Sequence, residues 1–523
     1  MLPFLNPTNK KSKKYVVAFK GLNYGEGYED GEFSDAKNIS LDEFPCLTQR
    51  NGREKEDVAV GKYNGGSNLL FKDGEYGGRF IISDNKLFRN DEEIFDYIVE
   101  RKKRQMVGIG NYVIIYPEKY YFNVATGEHK PMEMKVKAKM TFTENSITIT
   151  EDGKTFKFSK GDTIMISGSN KDANNRSATI REYEEKKLTF DANTFTADTT
   201  ELQITITRTV PELDYICESN YRLWGVKDNT IYGSKYMDPL NFQSFDGSAA
   251  DSYAIDVSTE GKFTGCIPYT SHICFFKENM LHKLYGSKPA NFQLVNSQVY
   301  GVQEGSAGSM CIINETLYYK GVNGVYAYNG GIPSLVSDKL GSKMFGNACA
   351  ATDGNKYYIS MSDSAENYGL FVYDVRKNLW VQEDSIACND MEFGEGRVWM
   401  LTKDSLWAVK RDSDEDTYNG ETLPIEWSVT FCPFNEVMNE RKGYSKFHMR
   451  LDLSEGASLL VEVKRNTDTQ WEEVKTISSN SSAQTVTVPI LPERCDSVEI
   501  RLSGRGVCKL RTFIREFYVG SDV

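Results

Sequence analysis

The sequence predicts an all-β protein: a β-propeller of six to eight blades, with a small β-barrel or sandwich inserted into it and a β-sandwich at the C-terminus. Three observations carry this. The 523 residues hold 30 Tyr and 28 Phe against 14 Pro, and 42 Gly punctuate the chain, a composition that favours strands and turns over helical bundles. A theme recurs: a short alternating apolar strand, a tight polar turn, then a second strand rich in Tyr, Trp or Leu. From Arg222 onward its copies start roughly 40 to 50 residues apart, the period of a four-stranded blade. Helical signal is scarce, and the best candidate, 96–106, is short and charge-rich.

Each part follows in order. Residues 1–56 read as an N-terminal arm with a lead-in strand, and 57–132 as the first part of the propeller, with hairpins at Arg79-Phe80-Ile81-Ile82 and Tyr112-Val113-Ile114-Ile115. The blade spacing then breaks. Residues 133–210 hold five or six short strands, such as Ser146-Ile147-Thr148-Ile149 and Gln203-Ile204-Thr205-Ile206, which describe a small inserted β domain. Residues 211–423 return to the theme with five further copies, from Arg222-Leu223-Trp224 to Arg397-Val398-Trp399. Residues 424–523 alternate again at 446–453, 458–464, 484–490 and 497–502, and read as a compact sandwich. Many short sheets that are apolar on both faces are stable when each face meets a neighbour. Inter-blade packing therefore accounts for Trp224, Tyr232, Tyr285, Tyr319, Trp380, Trp399 and Trp407.

Charge narrows the function. The chain carries 62 basic and 74 acidic residues, a net charge of −12. The excess lies in 211–423, with 17 basic and 28 acidic residues, whereas 1–132 and 133–210 are each balanced. A surface of that sign repels phosphate backbones but suits a passage through which DNA slides. The ten cysteines form no CxxC pair and sit in apolar contexts, so they read as buried free thiols of a protein assembled in a reducing cytosol. The N-terminus lacks the pattern of a signal peptide, and no run approaches the length of a membrane helix.

Chemistry is thin. His129, His272, His282 and His448 lie in different segments, and no local spacing supplies the partners of a triad or zinc site. No phosphate-binding glycine loop is present. The run Asp412-Ser413-Asp414-Glu415-Asp416-Thr417 has the alternating oxygens of a calcium loop. It places Thr417 and Leu423 where an EF-hand needs glycine and glutamate, and so reads as a solvated acidic connector. The expectation is no catalytic residue, no metal and no cofactor. Two basic runs, Lys10, Lys11, Lys13 and Lys14, then Arg101, Lys102, Lys103 and Arg104, are the candidate interface or DNA contacts, although solvated surface explains both.

A family resemblance adds to this. Phe19-Lys20-Gly21-Leu22-Asn23, Glu32-Phe33-Ser34-Asp35-Ala36-Lys37-Asn38-Ile39 and Leu47-Thr48-Gln49-Arg50-Asn51-Gly52 resemble the start of bacteriophage tail nozzle or packaged-DNA stabilization proteins. In that pattern the chain turns at an Arg-x-Gly step into the first blade. Later stretches carry the same likeness, among them Asp214 to Gly225, Asn291-Phe292-Gln293-Leu294 and Asn329-Gly330-Gly331-Ile332-Pro333, and the C-terminal end resembles members from phages of Gram-positive bacteria. The resemblance implies a virion tail protein assembled in the host cytoplasm. It implies a homo-oligomeric ring of about six, seated below the portal and adaptor and carrying fibres or spikes, with double-stranded DNA as transient cargo and no membrane insertion. Two other readings compete. One is a tail-tip receptor- or carbohydrate-binding protein that reads its ligand with 424–523; the other is a propeller hydrolase using paired carboxylates.

Overall fold

The computed structural model describes residues 11–56, 69–74, 77–83, 85–96, 104–411, 413–436, 441–466, 468–478, 483–491 and 493–519. It confirms the all-β propeller fold. Among the described residues six antiparallel four-stranded meanders follow one another along the chain, and a seventh blade combines three consecutive strands with one from far upstream, within the expected six to eight. The chain divides into two compact units, residues 61–310 and residues 1–60 together with 311–523.

The unit of 61–310 holds four blades, whose first strands are Leu69–Lys72, Gln105–Ile109, Tyr215–Ser219 and Phe263–Tyr269. Their facing surfaces are aromatic. Phe80 meets Phe122 at 6.3 Å between the first two blades, and Trp224 meets Phe275 edge-on at 6.3 Å between the last two. Between the second and third blades lies the inserted domain, a seven-stranded sheet built on the long pair Met134–Phe142 and Asp198–Arg208. Its sixteen buried apolar residues form a core of their own, as strict alternation with one apolar face demands.

The other unit holds three blades, beginning at Cys311–Ile313, Phe345–Thr352 and Asp390–Gly394. The last of these takes its fourth strand from far upstream: Arg53–Glu56 pairs antiparallel with Leu406–Val409. A hairpin, Glu415–Tyr418 with Glu421–Pro424, extends the same sheet. The C-terminal sandwich is not built from 424–523 alone. Lys11–Val16, Ile39–Ser40 and Leu47–Gln49 join one of its sheets, and Gly21–Leu22 and Glu32–Lys37 join the other. The arm is therefore woven in, because the long strand Cys508–Val519 would otherwise leave an unpaired edge. Phe431 of one sheet stacks on Phe513 of the other at 5.5 Å.

Of the aromatic residues expected to pack, Trp224, Tyr319, Trp380 and Trp399 are fully buried, and Tyr232, Tyr285 and Trp407 are half-buried. The best helical candidate, 96–106, is not helical at its ends. Asp96 closes one strand, Gln105 and Met106 open the next, and 97–103 lie outside the described residues. No helix among the described residues is long and apolar enough to cross a membrane.

Candidate functional site

The basic residues singled out in the sequence do not form one surface. Lys10, Arg101, Lys102 and Lys103 lie outside the described residues. Lys11 and Lys13 project from the edge strand Lys11–Val16 towards Glu516, at 3.1 and 3.6 Å, while Lys14 is exposed on the opposite face of that strand. The Lys11 ammonium holds the Glu516 carboxyl well below the usual carboxylate range, helped by Ser445 and His448. Arg104 departs from the expectation of an exposed contact: it is fully buried, and its Nε donates to Glu118 at 2.9 Å. A guanidinium with no exposed surface cannot meet a partner, so this position serves the fold.

A dense polar constellation lies instead where the chain leaves the sandwich and enters the last blade, at Arg50-Asn51-Gly52-Arg53. Arg50 donates through both Nη atoms to Asp416, at 2.8 and 2.9 Å, and through Nε to Asn38 at 2.8 Å. The Arg53 main-chain N–H reaches Asp416 at 2.8 Å, and its side chain donates to Glu383 at 2.6 Å and to Asp384. Arg53 is 3% exposed, so burial would depress its guanidinium. Asp384 and Glu383 more than reverse that effect and keep it charged. Burial likewise pushes against an ionised Asp416, but the Arg50 hydrogen bonds outweigh it and hold the carboxyl below its ordinary range. Between the two arginines, a Cβ on Gly52 would lie 2.0 Å from the Glu415 carbonyl oxygen, so only glycine lets the two strands approach this closely.

This arrangement reassigns the acidic run. Asp412 lies outside the described residues, Glu415–Tyr418 forms a strand, and Asp416 is an ionic anchor rather than part of a solvated connector. Among the described residues no group of three or more His, Cys, Asp or Glu is placed to hold a metal ion. The histidines stay apart. His129 stacks on Phe95 at 4.2 Å, His282 meets the Thr259 hydroxyl at 2.9 Å, His272 lies against Tyr285, and His448 faces Glu516.

Glu392 stands two residues from Asp390 on the strand Asp390–Gly394, hence on the same face of it. Burial, with a smaller contribution from Asp390, pushes its pKa up to about 8, although the Phe393 main-chain N–H pulls the other way. All ten cysteines are free thiols, eight of them buried. Cys217, Cys266, Cys311 and Cys349 each lie on the first strand of a blade, and Cys388 lies two residues before another.

The ion pairs of Arg50 and Arg53 thus tie remote segments of the chain together. No family model and no curated protein matches the chain. Among solved structures, that of U3-55K aligns at 6% identity over 67% of this chain and 97% of its own, with a TM-score of 0.37. The RRP9 WD40 repeats align at 6% over 70% and 100%, with a TM-score of 0.38. The phage phi92 endosialidase aligns at 10% over 88% and 80%, with a TM-score of 0.27.

Proposed function

We propose that this protein is a non-catalytic structural subunit of a bacteriophage tail. It forms a homo-oligomeric ring below the portal and adaptor, retains packaged DNA and conducts it at ejection. One observation carries the reading: a single N-terminal segment threads both sheets of the sandwich and then closes the last blade, pinned by Arg50 and Arg53 against three carboxylates. Tying sandwich to blade through the sheets themselves resists separation under load, because pulling on one requires breaking the ladder of the other. Ring-forming proteins that stay in place while DNA leaves under pressure need that property. The acidic excess of 211–423 supports the same role, since like charge keeps a DNA passage from holding its cargo.

Native mass spectrometry of the purified chain, with electron microscopy of intact particles, tests this. A closed ring, with the same ring at the tail of the particle, is expected. A chain that stays monomeric at micromolar concentration and is absent from purified particles overturns the reading.

A further inference from the structure

The outer face of one sandwich sheet carries a groove of about 370 Å³ that none of the preceding roles uses. Its register is regular. One row of side chains runs across five strands as Lys37, Ser428, Ser503, Leu460 and Thr476, each paired with the next. A second row, beside it, runs Glu426, Arg505, Ser458 and Ser478. Alternation in each strand sends Trp427, Val429, Leu502 and Leu459 into the core and leaves these residues outside. Under the groove, Gly504 is required: a Cβ there would lie 2.5 Å from the Trp427 ring, which anchors its Nε1 on the Gly506 carbonyl at 3.1 Å.

The groove is bounded on one side by groups already spent. Arg501 is held by both carboxylate oxygens of Glu462 at 2.6 Å and lies 4.4 Å from the centroid of the Trp471 ring. Lys464 is tied to Glu499 at 2.9 Å. Lys37, Glu426 and Arg505 are different: all three are exposed, and none makes an ion pair among the described residues.

We infer that this groove binds an oligosaccharide, neutral or carrying a single acidic group. Its volume falls in the range of ligand sites, roughly 300–1,000 Å³, and five strands at about 4.8 Å spacing give a track of about 19 Å. Serine and threonine hydroxyls both donate and accept, matching a ligand made of hydroxyls. Leu460 offers an apolar spot amid them for the C–H face of a sugar ring, and the Arg505 fork suits a carboxylate or a pair of vicinal hydroxyls. Other polymers fit less well. An extended peptide adds to a sheet edge, whereas this track crosses strands whose main-chain groups are already paired. A phosphate polymer needs a run of cations, whereas here Glu426 sits between Lys37 and Arg505. The site goes beyond the ring proposed above and does not depend on it. Lys37 comes from the N-terminal segment, so residues 424–523 alone would present neither the complete sheet nor the complete site.

The test uses the full chain on an array of defined bacterial surface oligosaccharides, neutral and acidic, followed by calorimetry with the tightest binder. Retention of at least one oligosaccharide is expected. Arg505→Ala should weaken it tenfold or more, Ser503→Phe should abolish it by filling the middle of the row, and Arg450→Ala, on the outer face of the opposite sheet, should leave it unchanged. Should Ser503→Phe not fold, the exposed Arg505 carries the test alone. An array on which nothing is retained, binding that Arg505→Ala leaves intact, or displacement by a 20-nucleotide single-stranded DNA overturns the inference. Native mass spectra of the same samples keep the two outcomes apart, since a ring that binds no glycan defeats only the groove.

Discussion

Buried cations are handled in two ways in this molecule. At the step from sandwich to last blade, Arg50 and Arg53 lie against the carboxylates of Asp416, Glu383 and Asp384. In the third blade Arg222 is 1% exposed, yet it donates to main-chain oxygens: Ser234 and Asp251 at 2.6 Å and Ala249 at 2.9 Å. Burial pulls the Arg222 guanidinium down, whereas the acids beside Arg53 push that one up. Carbonyls ask only that the local backbone keep its course, so Arg222 can be served by neighbours within 29 residues. Carboxylates from remote strands commit Arg53 to partners 330 and 331 residues away. The first device shapes a blade; the second adds ionic anchors between parts of the chain that lie far apart in sequence and also pair as strands.

The strongest way to break this comparison is Arg53→Met. It leaves Glu383 and Asp384 without a counter-charge in a largely buried site, and the expected cost is about 3–5 kcal/mol in urea unfolding. Adding Glu383→Gln and Asp384→Asn should return part of that loss, since the uncompensated charges are then gone. A cost below about 1 kcal/mol, or no recovery in the triple variant, would mean the ion pairs do not hold this junction.

Arg222→Met is the matching change in the blade. It strips three carbonyl oxygens of their donors without exposing a charge, and the expected cost is smaller, about 2–3 kcal/mol. If it exceeded the cost at Arg53, the distinction between the two devices would fail.

The two regions were not equally legible. The blades could be read because a blade is local: each strand pairs with the next in sequence, so apolar alternation and turns recur at the blade period. The inserted domain stood out as a break in that period. A further signal went unused, for Cys217, Cys266, Cys311, Cys349 and Cys388 recur at intervals of 38 to 49 residues at the starts of successive blades. The junction could not be read, because nothing near Arg50 or Arg53 in sequence names Asp416 or Glu383 as its partner. Arg104 misled for the same reason: in a run of four cations it looks solvated, and only the fold brings Glu118 beneath it. Lys37 likewise belongs to an arm in sequence and to a groove in space.

Glu392 sharpens the contrast at the smallest scale, as a half-buried carboxyl without the guanidinium that Asp416 enjoys. Its proton is retained in the folded protein up to about pH 8 but released near pH 4.5 in the unfolded chain. Between those values the unfolded state binds fewer protons, so stability falls as pH rises through that window and is fully present only below it. Solvent contact at a half-buried position trims the effect, and the expected loss from this group is about 1 kcal/mol between pH 5 and pH 7.5. Glu392→Gln has no proton to release, so the difference in urea midpoint between it and the unaltered protein should shift by that amount across the window, in favour of the variant at the higher pH. Parallel pH profiles for the two proteins would show that the carboxyl is ionised at neutral pH, and that a buried acid in this fold tolerates its charge without a cation beside it.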